Sequence, residues 1–533
     1  MRRILAIAAF IVLLTPSLWF AWRNRDMPQL GEGHDDAIYH IVSKAVADGD
    51  GYRITSLPAA PFETKYPPLL IWMLATIWRI DPRFPENLRL VTALQWAMIP
   101  PFLWLSLVWF RRLGLSGVQR WTALTLLAVG PYTVLFGAGI FTEVLFGILL
   151  LSALLACEEA RTRQAGWPWA AAAGILAGFG FLTRTAGIAV IASIPVVFLL
   201  WKKRREAAAF TLAALPAAAS WTLWTRLHQS SASDIMTLYN TNYLRYELLN
   251  VHFADLGVVV WKNLGHMLYG MGALAFPLEL GSFAWQLLRM TVAAGIIRGL
   301  ARHWRNPVLQ PYIVIALLTA AELLVWHYPP NLRLMYPMIP LFAAGLIWEA
   351  VHFAGLIRQA RNHRQRSQRT AAWVISGVSV AAVLAAGWTQ GYMLLRTLPD
   401  MVRDSELQRA ERMAVYDWIN QHVDANAAVL AYNPTLYLYT GRRTASQTLL
   451  PIYWYRGDAA SAIAAFRDLP AYATENRLAY LYIRDSEYGK TLDPEPAAEA
   501  RRVVEASPGL RVVFKSKDAT VFQAVNPLSS SGR

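Results

Sequence analysis

The chain alternates between long apolar stretches and shorter segments that carry most of its charge. A bilayer core about 30 Å thick is crossed by roughly 20 mainly apolar residues in a helix. This window predicts eleven transmembrane helices, near residues 4–22, 88–110, 121–138, 140–157, 168–182, 184–201, 207–224, 277–298, 311–328, 334–357 and 371–394. No small-residue cleavage site precedes Arg23, so we expect the first helix to be a retained signal anchor with a cytoplasmic N-terminus.

The basic residues of the loops predict the orientation of these helices, because cytoplasmic loops carry the Lys and Arg excess. That excess falls in alternate loops, at 111–120, 161–163, 202–205, 298–305 and 358–369. The segments long enough to fold outside the membrane then all lie on the outer side. They are residues 23–87, residues 225–276 and the tail from about residue 395.

The first outer segment predicts two short amphipathic helices, over 35–48 and 68–80. The second is too short to cross a membrane and is expected to lie along the interface. In the tail, a helix around 404–422 and a helical stretch at 459–466 accompany β-like runs at 427–432, 478–483 and 510–524. We therefore predict a transmembrane domain over 1–395 and a small soluble α/β domain over 396–533.

Composition supports the membrane assignment. Hydrophobic residues make up 55% of the 533 residues, charged residues only 16%, and the mean hydropathy is +0.30, which argues against a soluble protein. The net charge of +15 is concentrated in the cytoplasmic loops, so it does not indicate nucleic-acid binding. Cys157 is the one cysteine of the chain, which excludes an intrachain disulfide and any multi-cysteine metal site.

Several charged residues lie in or beside the predicted spans, where a charge is costly and calls for a reason. The predicted topology brings them to the outer side although they are far apart in sequence: Asp35, Asp36, Lys65, Glu143, Arg184 and Arg333. The adjacent acids are candidates for a general base, because each raises the pKa of the other. The three cations suit a phosphate group, whose growing negative charge they would stabilise.

Each of these residues also has a structural interpretation. The acid pair could cap a helix N-terminus, and the two arginines could be interfacial anchors. Glu143 could pair with one of those arginines within the bundle. The spacing of His34, Asp36 and His40 is only a weak metal-binding pattern.

The motifs around these residues resemble those of the GT-C glycosyltransferases. His34–Tyr39, Ala45–Gly49 and Lys65–Leu69 resemble their first outer loop, as found in aminoarabinose-transferase-like and protein-mannosyltransferase-like enzymes. The chain departs from many relatives by having Asp at position 36 instead of Glu, and by placing Tyr66 between the lysine and the prolines. Three further stretches agree: Thr142-Glu143, Gly174–Arg184 and Arg333–Pro340.

The resemblance implies a polytopic α-helical membrane protein of GT-C fold that transfers a sugar from a polyprenyl-phosphate carrier. It implies that Asp35 is the base on the acceptor, that Asp36 is the second acid, and that Lys65 contacts the donor phosphate. Arg184 and Arg333 would add positive charge at the phosphate, and the supporting residues would be Glu143, Tyr39, Tyr66 and Tyr336. Some relatives bind a divalent metal ion near the acid pair and others do not, so no cofactor is assigned.

The expected partners are the polyprenyl-phosphate sugar donor, membrane lipids, and a lipid, glycan or protein acceptor. The expected location is a bacterial inner membrane, with the site facing the periplasm. Two other readings stay open. In one, the protein is a transporter or flippase that binds lipid-linked sugars without chemistry; in the other, it is a catalytically silent scaffold.

Overall fold

The computed structural model describes residues 2–230, 235–242, 244–246, 251–362, 366–445, 455–489 and 492–525. Parts of two predicted loops lie outside the described residues. They are residues 231–234, 243 and 247–250 of the outer segment 225–276, and residues 363–365 of the basic loop 358–369. The described chain forms a helical bundle followed by an α/β tail.

Helices form the bundle because its apolar runs are long and their backbone groups must bond within each segment. The helices are α1 Arg2–Arg23, α2 Asp35–Asp48, α3 Pro68–Ile80, α4 Leu88–Ala97, α5 Ile99–Arg112, α6 Gly117–Ala128, α7 Pro131–Phe136, α8 Glu143–Thr162, α9 Trp167–Phe181, α10 Ile188–Leu200, α11 Arg204–His228, α12 Ile235–Thr241, α13 Leu256–Gly272, α14 Phe283–His303, α15 Gln310–Leu324, α16 Leu332–Met335 and α17 Ile339–Arg361. Single 3₁₀ turns lie at Thr185–Gly187, Phe253–Asp255 and Tyr336–Met338.

Five of the described helical stretches are long and apolar enough to cross a membrane. They are Arg3–Arg23, Leu88–Arg112, Arg204–His228, Leu332–Arg361 and Arg369–His422. The total of eleven spans therefore stays a prediction.

Most predicted spans differ from the helices by a few residues, and two of them differ for a reason that the structure shows. The span 121–138 is interrupted between α6 and α7, where Pro131 lacks a backbone N–H and begins a new helix. The span 277–298 begins later, at Phe283. The buried Arg289 of α14 donates from Nε to the carbonyl of Phe276 at 2.8 Å and from Nη2 to that of Pro277 at 2.9 Å, which holds these residues as a loop.

Small residues let α9 and α11 pack closely, and this contact helps to place the site. A Cβ on Gly174 would lie 2.3 Å from the carbonyl oxygen of Phe210, so this position requires glycine. Beyond the end of α9, the carbonyl of Leu182 accepts a 2.9 Å hydrogen bond from the backbone of Leu69, at the start of α3. The residues after α9 and those before α3 are thereby brought to one end of the bundle, which we call the loop end.

The first outer segment folds over the loop end as predicted, with α2 and α3 packed against each other. Ile38, Ile41 and Val42 of α2 are buried. Trp72 and Ile80 of α3 leave apolar surface exposed, as an interfacial helix requires. Whether α3 lies in a membrane interface stays a prediction.

The last predicted span and the predicted tail helix are one continuous helix, which corrects the separate helix predicted over 404–422. Helix α18, Arg366–Tyr392, continues through a π-helical turn at Met393–Thr397 into α19, Leu398–His422. The predicted domain boundary after residue 395 falls inside that turn. Because a π turn keeps the chain helical, neither a loop nor a helix end separates the two parts.

The described strands of the tail are β1 Ala428–Ala431, β2 Thr444–Ala445, β3 Leu478–Arg484, β4 Leu510–Lys515 and β5 Ala519–Ala524. They form a five-stranded mixed sheet at the centre of the tail, in the order β2-β1-β3-β5-β4. The predicted run 510–524 is a hairpin of two antiparallel strands, whereas β1 is parallel to both of its neighbours. The remaining helices are α20 Thr435–Thr440, α21 Ala459–Arg467, α22 Leu469–Glu475, α23 Asp485–Tyr488 and α24 Pro494–Glu505.

Alternating side chains of the sheet belong to two separate apolar cores. Leu481 and Phe522 pack with residues of α21, α22 and α24. Tyr482 and Val521, the neighbouring positions, pack with residues of α19 and α20. The tail is therefore a sheet covered by helices on both faces, in agreement with the predicted α/β class.

Candidate active site

The adjacent acids Asp35 and Asp36 open helix α2, but neither occupies its N-cap position. The N-cap position is His34, whose side chain makes no capping hydrogen bond. Asp35 Oδ1 accepts a hydrogen bond from the Tyr66 hydroxyl, and Asp36 Oδ2 accepts one from the backbone N–H of Gly31 at 2.9 Å. Both carboxylates thus bind groups from outside their helix, and Asp36 also accepts from the backbone N–H of Ala37 in the first turn.

The two carboxylates differ in their surroundings. Asp35 keeps 29% of its side chain exposed, and its Oδ2 lies 3.8 Å from Arg333 Nη2. Burial raises the pKa of Asp35, but Lys65, Arg333 and the Tyr66 hydroxyl outweigh it, so the net shift is downward. Burial raises the pKa of Asp36 to about 6 despite the hydrogen bond from Gly31. Asp35 therefore ionises at a lower pH than Asp36, and only Asp36 has a pKa raised towards neutrality.

Lys65 lies in a turn that Glu63 holds in place. The buried Glu63 accepts hydrogen bonds at Oε1 from the backbone N–H groups of Lys65 and Tyr66, at 2.5 and 2.9 Å. Lys65 Nζ lies 3.4 Å from the ring centroid of Tyr239. Burial lowers the pKa of Lys65 to about 8, with Asp35 and Glu63 acting in the opposite direction. The ammonium group therefore stands beside Asp35 against an aromatic ring.

Glu143 joins the two arginines at the loop end. It is fully buried at the start of α8, and its Oε1 accepts hydrogen bonds from Arg184 Nη1 at 2.7 Å and Arg333 Nε at 2.9 Å. Arg184 also donates to the hydroxyl of Thr142 at 2.9 Å. The arginines are thus paired within the bundle rather than free interfacial anchors, and Glu143 pairs with both of them.

The three predicted supporting tyrosines occupy different places. Tyr66, the residue between the lysine and the prolines, is the one whose hydroxyl contacts Asp35. Tyr39 is buried with its ring centroid 4.7 Å from that of Tyr66. Tyr336 donates to the hydroxyl of Thr133 at 2.9 Å and packs inside the bundle. Tyr66 therefore contacts Asp35 directly, whereas Tyr39 packs against Tyr66 and Tyr336 packs against residues of the bundle.

A divalent metal ion has no evident ligand set here. Within the described ranges, no three His, Cys, Asp or Glu side chains come together as a metal site requires. His40 points away from the acid pair, with its ring centroid 4.6 Å from that of Trp78. Glu143 Oε1 is already paired with two arginines. We therefore assign no step to a metal ion.

Two groups of residues at this site escaped the sequence analysis. Tyr239 of α12 carries no motif and reaches Lys65 only through the fold. Glu32 accepts hydrogen bonds at Oε1 from Arg412 Nη1 of α19 at 2.5 Å and Arg484 Nη1 of β3 at 2.7 Å. About 380 and 450 residues separate these partners, so no local pattern signals the contact.

The assembled site places the partly exposed carboxylate of Asp35 near the cations Lys65, Arg184 and Arg333. Arg333 is 33% exposed and Arg184 18% exposed, so both can still reach a ligand. Lys65 is half-buried beside them. Such an arrangement can hold a phosphate group and, next to it, accept a proton from a hydroxyl.

Comparison with known proteins gives a match in structure but not in sequence. No protein-family model and no curated protein sequence matches the chain. The crystal structure of ArnT from Cupriavidus metallidurans bound to undecaprenyl phosphate is 15% identical and aligns over 97% of this chain and 98% of that chain, with a TM-score of 0.55. The structure of the same enzyme in the apo state is 12% identical with the same coverage and a TM-score of 0.53. The chain thus shares the fold of ArnT along almost its whole length, as the resemblance in its motifs predicted.

Proposed function

We propose that the protein is an integral-membrane glycosyltransferase that transfers a sugar from a polyprenyl-phosphate carrier to an acceptor hydroxyl. The observation that carries this proposal is the position of Asp35. Its ionised, partly exposed carboxylate contacts Tyr66 and lies 3.8 Å from Arg333, beside Lys65. A base next to several cations is what transfer from a phosphate-linked donor requires.

The donor phosphate is assigned to the cations of the site. Arg333 and Lys65 are its nearest candidates, with Arg184 behind them against Glu143. ArnT, which shares the fold, was solved with undecaprenyl phosphate bound. A ligand of the same class fits a site whose cations stand next to an apolar bundle, because its head is anionic and its tail apolar.

The proposed reaction is a single displacement at the anomeric carbon. The acceptor oxygen forms a bond to that carbon while Asp35 accepts the hydroxyl proton. The bond between the carbon and the phosphate oxygen breaks, and its electron pair leaves with the polyprenyl phosphate. Lys65, Arg184 and Arg333 stabilise the charge that grows on the departing oxygen. Because the acceptor attacks from the side opposite that oxygen, the single displacement inverts the anomeric configuration.

The charge pattern of the loops supports a location in a bacterial inner membrane with the loop end facing the periplasm. The acceptor would be a lipid, a glycan or a protein reached from that side. A transporter or flippase would bind the same head group but leave the bond to the sugar intact. The experiment must therefore separate binding from transfer.

Mass spectrometry of glycolipids and surface polysaccharides tests the proposal in cells. The strains carry the wild-type chain, a deletion, Asp35→Asn, or the matched variant Asp50→Asn, which changes an exposed acid of the same segment. All variants are compared at equal levels in the membrane. We expect one sugar increment to be absent in the deletion and in Asp35→Asn and present in the other two strains. An increment that persists in Asp35→Asn would favour the transporter or the scaffold.

A further inference from the structure

The segment before the acid pair, residues 26–34, has no regular structure and is bound by the tail domain at alternate positions. We call it the strap. Its contacts with the tail use backbone carbonyls and side chains of Asp26, Pro28, Leu30, Glu32 and His34. The partners are Arg409, Arg412 and Arg484, together with Tyr432 and Asn433. The strap therefore takes its shape from a different part of the chain.

The backbone of the strap is held in conformations that side chains rarely adopt. Met27 has a φ of 41° and His34 a φ of 63°, although neither is glycine. Such residues persist where their surroundings hold them, and they cluster at functional sites. The strap is therefore a strained segment whose geometry depends on the contacts made by the tail.

Gly31 connects the strap to the acid pair. Its φ is +85°, and a Cβ at this position would lie 1.9 Å from Asn433 Oδ1, so a larger residue does not fit against the tail. The N–H of Gly31 donates to Asp36 Oδ2 at 2.9 Å. The same glycine thus contacts the tail on one side and orients the Asp36 carboxylate on the other.

Glu32, the next residue, is the main polar attachment. Arg412 and Arg484 bind its carboxylate and are nearly buried, with 5% and 8% of their side chains exposed. Arg412 also donates to the carbonyl of Pro28 at 2.6 Å, and Arg484 to Glu487 at 3.1 Å. A carboxylate that neutralises two buried cations fixes its own backbone strongly.

From these contacts we infer that Glu32 and Gly31 are positioning residues, through which the α/β tail sets the geometry of the acid pair. The expected effect of these residues on sugar transfer rests on the proposed function, whereas their expected effect on the strap does not. The tail then belongs to the catalytic apparatus, although among its described residues no charged side chain pairs with Asp35 or Asp36. A misplacement of about 1 Å at an active site lowers a rate by about 10²-fold.

Glu32→Gln tests this inference, with Asp255→Asn as its matched control. Asp255 pairs with Arg456, so this control also breaks an ion pair between the tail and the rest of the chain, but away from the strap. We expect Glu32→Gln to lower kcat about 10- to 100-fold with little change in the KM for the donor. The control is expected to keep wild-type kcat, and Glu32→Asp, which retains the charge, to recover part of the loss.

Hydrogen exchange of the peptide that contains Gly31 gives a readout independent of transfer. We expect faster exchange at Gly31 in Glu32→Gln and in Asn433→Ala, and wild-type exchange in Asp255→Asn. Asn433→Ala serves as the second variant where Glu32→Gln does not fold. Equal exchange and equal kcat in Glu32→Gln and in the control would overturn the inference. Faster exchange in a protein whose wild type transfers no sugar would support the inference and overturn the proposed function.

Discussion

Glu143 and Glu32 are each bound by two arginines from distant parts of the chain, but their arginines differ in exposure. The partners of Glu143 keep 18% and 33% of their side chains exposed, whereas those of Glu32 keep 5% and 8%. The exposure of the two acids differs in the opposite sense, because Glu143 is fully buried and Glu32 is partly exposed. The exposure of the cations, not of the acid, therefore distinguishes the two clusters. We call Glu143 with Arg184 and Arg333 the open cluster, and Glu32 with Arg412 and Arg484 the closed cluster.

The largest expected effect concerns the base that stands beside the open cluster. We expect Asp35→Asn to lower sugar transfer by about 10²- to 10⁴-fold, because a positioned general base contributes about that factor. Undecaprenyl phosphate affinity should be retained or rise, because a negative charge beside Arg333 is removed. Both quantities are measured on purified protein in lipid nanodiscs. A parallel loss of affinity would place Asp35 in donor binding and not in the chemistry.

Removal of the two glutamates compares the clusters directly. Glu32→Gln leaves Arg412 and Arg484 nearly buried beside a neutral side chain, and breaking a buried pair costs about 3–5 kcal/mol of unfolding free energy. Glu143→Gln should cost less, because Arg184 and Arg333 are more exposed and Arg333 still lies 3.8 Å from Asp35. Thermal unfolding of both variants in the same detergent checks this order. A larger fall in Tm for Glu143→Gln would show that exposure of the cations does not decide the stability of either cluster.

The arginines should separate binding from attachment. Arg333→Gln is expected to weaken undecaprenyl phosphate binding by about 10- to 100-fold, because a charged hydrogen bond contributes about 1.5–3 kcal/mol. Arg484→Gln, the same change in the closed cluster, should leave that affinity near the wild-type value. Titration of both variants with undecaprenyl phosphate measures the difference. A similar loss in both would contradict the division into an open and a closed cluster.

The smallest effect is a pH dependence from Lys65, which lies near the open cluster but is not part of it. Lys65 is charged below its pKa of about 8 and neutral above it, so it binds phosphate at low pH and loses that attraction as the pH rises through 8. Undecaprenyl phosphate affinity should then fall between pH 7 and pH 9, by less than about tenfold per pH unit. Lys65→Arg should remove this dependence, since arginine stays charged. An unchanged slope in that variant would assign the titration to another group.

Much of the bundle could be predicted from the sequence because a helix in a membrane is specified by its own apolar length. The errors arose where a distant residue sets the boundary. Arg289 holds the carbonyls of Phe276 and Pro277 out of a helix whose apolar pattern already begins there. The joint between α18 and α19 was missed because a π turn has no clear signature in sequence.

The residues of the site also divide into those that the sequence could predict and those that it could not. Asp35, Lys65 and Arg333 follow from motifs and topology, and the structure brings them together. Glu32 has no motif, and its partners Arg412 and Arg484 lie in a domain whose placement the sequence does not specify. Residues that act at a site can be predicted when the topology gathers them, whereas residues that act through tertiary contacts cannot.

The joint between the last span and the tail has a mechanical consequence. The stretch from Arg369 to His422 is about 80 Å long at 1.5 Å per residue, and little of its apolar part is buried by other helices. Lipid alone would leave such a rod free to change its tilt. A change of about 5° over its last 45 Å would move its far end by about 4 Å, more than a hydrogen bond tolerates. Because Arg409 and Arg412 fasten this part of the helix to the strap, the tail restrains the tilt of the predicted last span.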